Sequence, residues 1–265
     1  MPGFSTWDSQ EVRIERNLER ILGHCEANGI FATFFCLGWL AEKHPKLIKK
    51  IDAYGHEVAS HSYAHQLVYS QDKLGFRKDL ERSIGILEDI TGKKVVGYRA
   101  PGFSITEKVT WAFEILKDCG IEYDSSVFTV PRAHGGMPKG TPDQPFLIKT
   151  KNGSLKEFPI SGTAFFGQDV VYSGGGYFRL FPFKLIKHFI KQSKCTMFYF
   201  HPRDFDPDQP VLDLPFLRKF KSYVGLKSAE KKFSKLLESA EFVDIKTAAS
   251  NINWSSSPEF IPDSI

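Results

Sequence analysis

Short apolar runs of strand length alternate with helix-period segments along most of this chain, and that alternation narrows the fold before composition is considered. Ile14, Leu18, Ile21, Leu22 and Cys25 recur at helical spacing and stop at Asn28-Gly29. The next run, Phe31 to Leu37, is short, aromatic and continuous, which predicts a strand buried on both faces. Pro45 opens a helix carrying Leu47, Ile48 and Ile51 that closes at Gly55, and a strand from Glu57 to Ser60 follows. Leu80, Ile84 and Leu87 mark a helix capped by Ser70 and ended by Gly92, with a strand at Val95 to Tyr98 behind it. Ser104-Ile-Thr-Glu107 reads as a capping box for the helix holding Val109, Phe113 and Leu116, which stops at Gly120. Further strands are expected at Ile121 to Asp124, Leu155 to Ile160 and Thr196 to Phe200. Strands joined by helical crossovers imply an α/β chain with mainly parallel strands. About seven such units predict a distorted or incomplete (β/α) barrel rather than an open doubly wound sheet. No Gly-x-Gly-x-x-Gly follows an early strand, which sets aside a dinucleotide fold.

With 42% hydrophobic and 25% charged residues and no composition break or repeat, the 265 residues read as one domain spanning 1–265. Pro131 to Pro145 is expected to be a long surface loop within it. The net charge of +4 is scattered rather than gathered in a stripe, which argues against nucleic acid as a partner. The densest basic stretch, Lys227 to Lys235, carries Phe233, Leu236 and Leu237 at helical spacing and reads as a solvated helix face. Cys25, Cys36, Cys119 and Cys195 sit singly in apolar segments, which predicts buried reduced thiols and a cytoplasmic protein. The opening residues lack the basic-then-apolar pattern of a signal peptide, and no window has the length of a membrane span.

The functional signal lies in where polar residues fall. His61-Ser-Tyr-Ala-His65 holds two imidazoles four residues apart, a spacing that one helical turn or a tight loop converts into a chelate, and neutral imidazole is a preferred ligand of zinc. His61, Arg99, Asp124 and His201 each lie at or just past the C-terminal end of an expected strand, so a barrel would gather them at one mouth. Taken singly, each has a plainer use: Arg99 in a surface ion pair, Asp124 in a turn, His201 in the core before Pro202. Convergence of the set with His65 favours an active site over these plainer uses.

These stretches resemble the polysaccharide deacetylase, or NodB-homology, family of carbohydrate esterases, in particular members associated with exopolysaccharide export loci. The motifs are His61 to His65, Arg99-Ala-Pro101-Gly-Phe103, Asp124-Ser-Ser126 and Phe198-Tyr-Phe200-His201, with further similarity in Phe31-Ala-Thr-Phe-Phe, Tyr54-Gly55-His56-Glu57, Gly174-Gly-Gly176-Tyr177-Phe178-Arg179 and His201-Pro202. The resemblance implies a hydrolase that removes acetyl groups from N-acetylated sugars of a polysaccharide or glycan precursor. A divalent metal, zinc or else cobalt, nickel or iron, would be held by His61 and His65 with an aspartate, and another aspartate would be the base. His201 would protonate the leaving amine, Asp124 would orient His201, Arg99 would pair with the base, and Phe103 would line the acetyl pocket.

The start departs from that pattern. Family members begin with an apolar strand bearing an acidic pair, followed by a segment resembling Trp7-Asp8-Ser9, whereas Met1 to Thr6 contains no Asp or Glu. Three accounts fit, in falling order of support: a start placed too late, a chain that has lost activity, and a replacement carboxylate such as Asp204 or Asp206, for which a turn role is the default. Without the first strand, Phe31 to Leu37 or its neighbour would present an open edge, which predicts pairing between two copies. The alternatives to the deacetylase are a catalytically inactive carbohydrate-binding homologue and a metal-independent amidohydrolase acting on small carbon-nitrogen substrates.

Overall fold

The computed structural model describes residues 13–128, 136–137, 140–165, 167–193 and 195–262. In chain order the elements are α1 (Ile14–Ala27), β1 (Thr33–Cys36), α2 (Gly38–Lys43), α3 (Pro45–Ala53), β2 (Glu57–Ser60), α4 (Lys73–Thr91), β3 (Gly97–Tyr98), α5 (Trp111–Asp118) and β4 (Tyr123–Asp124). They continue through β5 (Phe146–Thr150), β6 (Gly153–Glu157), β7 (Thr163–Phe165), β8 (Gln168–Val170), α6 (Gly175–Leu180), α7 (Phe183–Gln192), α8 (Phe216–Tyr223), α9 (Leu226–Leu237), α10 (Ile245–Asn251) and β9 (Glu259–Phe260). Among the described residues the backbone falls into two compact units: 31–160 with 243–262, and 13–30 with 161–242.

The first unit carries a seven-stranded sheet in the order β1-β2-β3-β4-β6-β5-β9. Strands β1, β2, β3, β4 and β6 pair in parallel, while β5 runs antiparallel to β6. This is the expected mainly parallel α/β barrel type, left open, because the tight β5–β6 hairpin reverses the chain where closure would need another crossover. Only the second arm of this hairpin was expected, although Phe146-Leu-Ile148 and the Asn152-Gly153 turn signal stand in the sequence. Phe76 and Leu80 of α4, Phe113 and Leu116 of α5, and Ile121, Phe146, Ile148 and Leu155 form the core. Each such side chain contributes about 1.5–3 kcal/mol by leaving water.

Several local expectations need correction. Asp72, not Ser70, caps α4 by accepting from Gly75 N at 2.6 Å, and Gly92 ends the helix at φ 67° as expected. Ser104 caps nothing: its Oγ accepts from Val68 N at 2.8 Å, and α5 starts without a side-chain cap. Strand β1 is only half-buried and Phe31 is 53% exposed, because β1 ends the sheet order rather than lying inside it. Of the expected surface loop at Pro131 to Pro145, the first part lies outside the described residues, and Met137 is buried in the core. The thiols also differ from expectation, since Cys25 and Cys36 are buried but Cys195 is exposed.

The second unit is mostly helical, with the β7–β8 hairpin, and its core gathers Tyr172, Phe178, Phe189, Phe205, Phe233 and Leu236. Phe198 and Phe200 stack at 6.3 Å with planes 6° apart, as alternate residues of an extended segment should. The strand expected at Thr196 to Phe200 makes a single bridge, Gly174 with Tyr199, because Tyr199 N alone finds a facing carbonyl, that of Ser173. Helix α9 buries Phe233, Leu236 and Leu237 as the sequence predicts. Its Lys232 is not solvated: Nζ donates to the carbonyls of Phe178, Arg179 and Phe181, satisfying the open end of α6.

Candidate active site

The register of the parallel strands builds the site. Ser60, Tyr98, Asp124 and Glu157 lie in one row across β2, β3, β4 and β6. His61, Arg99 and Ser125 therefore emerge side by side just past the strand ends, and their backbone N–H groups continue the ladder to Cys36 O, Ser60 O and Tyr98 O.

His61 and His65 sit on a tight loop rather than a helix, with ring centroids 5.1 Å apart and planes at 78°. Two residues of this loop, Ser62 and His65, adopt left-handed backbone angles, φ 67° and 55°. The surroundings hold them there. Asp79, on α4, accepts from Tyr63 N at 2.7 Å and Ala64 N at 3.1 Å, and Ser62 Oγ bonds Tyr98 Oη at 2.8 Å. Tyr63 donates from its hydroxyl to Glu42 at 2.7 Å, with the Arg82 guanidinium 3.7 Å over its ring. His61 Nδ1 lies 2.6 Å from the Arg99 carbonyl. A carbonyl only accepts, so Nδ1 carries the proton and Nε2 the lone pair.

Arg99 is buried, donating from Nε to Ser125 O at 3.0 Å and from Nη2 to Ser125 Oγ at 2.7 Å. Its guanidinium stands 4.2 Å over Phe35 and 5.5 Å over Phe103. Phe103 is the third non-glycine residue at positive φ among the described residues, at 54°, and it packs edge-on against Phe128 at 4.5 Å. Backbone held in this region costs of order 1–3 kcal/mol per residue, and such residues gather where geometry matters.

Asp124 is fully buried, and its carboxyl accepts from Ser126 Oγ at 2.5 Å. Glu157, opposite it on β6, accepts from Val127 N at 2.9 Å. Asp124 Oδ2 and Glu157 Oε2 are both buried and meet no hydrogen-bond donor. Burial pushes Asp124 up to about 6, and burial together with the Asp124 charge pushes Glu157 well above the usual range.

His201 belongs to the second unit, where it caps the short turn Pro202–Phe205. Its backbone N–H donates to Asp204 Oδ2 at 2.8 Å, its ring Nδ1 lies 3.5 Å from the same oxygen, and the side chain is 59% exposed. Asp204 is buried between His201 and Arg179, 3.4 Å away. Burial alone would raise its carboxyl, but hydrogen bonding to His201 and the charges of His201 and Arg179 hold it below the usual range.

Of the residues expected at the site, His61, His65, Arg99, Phe103 and Asp124 lie in one unit and His201 in the other, where Asp204, weighed as a replacement carboxylate, binds His201 N–H instead. Two carboxylates were missed: Glu157 is signalled only by a charge inside an apolar strand run, and Asp79 only by its place beside the buried stripe of α4. Asp8 and the residues before it lie outside the described residues.

A divalent cation fits the histidine pair in one testable respect. Two imidazoles bound cis to one ion at about 2.0–2.1 Å from nitrogen place their ring centroids roughly 5 Å apart, close to the 5.1 Å found here. Fixation of a ligand imidazole through the N–H of its other nitrogen, here by a backbone carbonyl, is the usual support of such a site. Among the described residues no third His, Cys, Asp or Glu joins the pair.

Comparison with known proteins agrees with the motifs. Residues 4–123 match the model of the polysaccharide deacetylase family, and residues 125–250, which include His201, match a domain of unknown function, DUF3473. The peptidoglycan-N-acetylglucosamine deacetylase of Bacillus cereus is 31% identical over 96 residues, 36% of this chain and 35% of that protein. The chain therefore spans about a third of that relative's length. Among solved structures, one assigned to the polysaccharide deacetylases from Mycobacterium smegmatis aligns with TM-score 0.65 and 21% identity over 92% of this chain and 79% of that one. The PuuE allantoinase aligns with TM-score 0.55 and 17% identity over 88% and 71%. These two likenesses concern the fold, the open α/β barrel. The ordered loop of two histidines and the arginine that braces it lie within residues 4–123, the part of the chain that matches the polysaccharide deacetylase family.

Proposed function

We propose that the protein is a metal-dependent carbohydrate N-deacetylase acting on N-acetylated sugars of a polysaccharide or glycan precursor. The observation that carries this reading is the His61–His65 pair, held at chelating separation with the His61 tautomer set by the Arg99 carbonyl. When bound, a divalent cation such as zinc supplies Lewis acidity at an acyl oxygen and acidifies water. The chain's own residues would then bind the cation, line the pocket and supply the leaving-group proton. His61 and His65 hold the cation, and Asp79 fixes their loop. The Arg99 guanidinium, braced by Ser125 and flanked by Phe35 and Phe103, places positive charge where a carboxylate base is kept ionised. Phe103 supplies an apolar wall suited to an acetyl methyl group, and His201, steadied by Asp204, supplies the proton that an amine leaving group needs.

The test is acetate release from N-acetylglucosamine oligomers with and without added zinc or cobalt. His61→Ala and His65→Ala should each abolish metal-dependent release, and His201→Ala should lower it about 10²- to 10⁴-fold with bound metal retained. Sugar binding without acetate release at any metal concentration would overturn the enzyme reading and leave a carbohydrate-binding homologue. Release that is indifferent to chelators and to both histidine substitutions would support the metal-independent amidohydrolase instead.

A further inference from the structure

We propose that α8 docks the protein onto the surface of an anionic lipid bilayer. The helix, Phe216-Leu-Arg-Lys-Phe-Lys-Ser-Tyr223, buries none of its side chains. Phe216 is 81% exposed and Leu217 70%, and Phe220 is also exposed. At 100° per residue, Phe216, Leu217, Phe220 and Tyr223 share one arc of roughly 120°, with Lys219 and Lys221 at its margins and Arg218 behind.

The helix is held from its C-terminal end, and of that face only Tyr223 is engaged, leaving Phe216, Leu217 and Phe220 exposed. Arg179 Nη1 donates to Ser222 O at 3.0 Å and Nη2 to Lys221 O at 3.1 Å, so the last turn is anchored through its carbonyls. Tyr223 Oη donates to Pro210 O at 3.1 Å and accepts from Leu212 N at 2.8 Å, which brings Val211, 65% exposed, beside the helix. Val211, Phe216, Lys219, Phe220, Tyr223 and Val224 together line an apolar depression of about 280 Å³.

Charge decides what covers this face. From Leu214 to Ala229 the chain carries Arg218, Lys219, Lys221 and Lys227 and no Asp or Glu, with Asp213 the acidic residue nearest before the helix. A second copy would set these cations against their own kind. Anionic headgroups instead meet the cations while the Phe and Leu side chains enter the acyl boundary, as aromatic and basic amphipathic helices do.

The experiment is co-sedimentation of the full chain with phosphatidylcholine vesicles, with and without phosphatidylglycerol. Binding is expected on the phosphatidylglycerol vesicles, weakening as salt rises, and little is expected on phosphatidylcholine alone. Lys219→Gln and Lys221→Gln should each weaken it roughly fivefold, and the double variant Phe216→Ser with Leu217→Ser should weaken it at least about tenfold. All four side chains lie on the exposed helix, so the variants should keep the wild-type melting temperature. No sedimentation with either vesicle, or binding indifferent to these substitutions, would overturn the proposal. So would self-association, read by sedimentation velocity, that the same substitutions abolish.

Discussion

Asp124 and Glu157 stand opposite each other at one register position of the parallel strands β4 and β6, each with a buried carboxyl oxygen that no donor reaches. Both carboxyls are raised, Asp124 to about 6 and Glu157 further, chiefly by burial. A group raised in the folded state stabilises fully below its unfolded value, near 4 for a carboxyl, and that contribution is lost as pH rises through the folded value. Glu157→Gln keeps a donor toward Asp124 and removes one titrating group. Urea unfolding from about pH 4 to pH 8 should show the wild type losing more stability than Glu157→Gln as pH rises. A difference between the two that stays constant with pH would rule out a proton shared between these carboxyls.

Asp79 serves the histidine loop without touching metal or substrate, accepting from two consecutive backbone N–H groups. Asp79→Ala leaves both without their partner and should cost about 1–3 kcal/mol of stability. The loop's affinity for zinc should fall with it, by 10- to 100-fold on the scale of supporting residues at metal sites. Calorimetric titration of zinc into both proteins measures this, and unchanged affinity would assign Asp79 to stability alone.

Gly97 sets the spacing of the strands that deliver Arg99. A Cβ there would lie 2.5 Å from Tyr123 Cε2 and 3.1 Å from Ala59 Cβ, both packed in the unit's interior. Gly97→Ala should therefore lower stability by about 1–3 kcal/mol through overpacking. Thermal unfolding checks it, and a variant as stable as the parent would show that the strands part without cost.

In the second unit, Arg13 grips Asp206 through Nε at 2.7 Å and Nη2 at 2.9 Å, with Arg16 at 3.1 Å and Asn17 at 3.2 Å. Hydrogen bonding to Arg13 holds the Asp206 carboxyl far below the usual carboxylate range. The sign is opposite to that of the Asp124 pair: this contribution is present above about pH 4 and is lost as pH falls. Asp206→Asn should cost about 3 kcal/mol at neutral pH. The deficit should shrink in acid, as unfolding followed down to about pH 2 would show.

Periodicity was a sound guide wherever one side of an element meets the core. The helix over Leu80, Ile84 and Leu87 and the basic helix ending at Leu237 lie where their apolar spacing puts them. It failed where a side chain had two competing uses. Ser104 has the look of a cap but serves Val68 N, and Phe31 has the look of a core strand but flanks the end of the sheet order. The histidine pair and Arg99 were legible because their residue types are unusual at strand ends. Asp79 and Glu157 were not, because a carboxylate serving backbone N–H groups looks in one dimension like any surface acid.

Ser62, His65 and Phe103 have no intrinsic preference for the angles they adopt; neighbours on α4 and the strand ends impose them. Damage that loosens those neighbours would relax the three residues toward ordinary backbone while the sheet remains folded. Drift at distant packing positions would thus silence the histidine pair well before it unravels the chain.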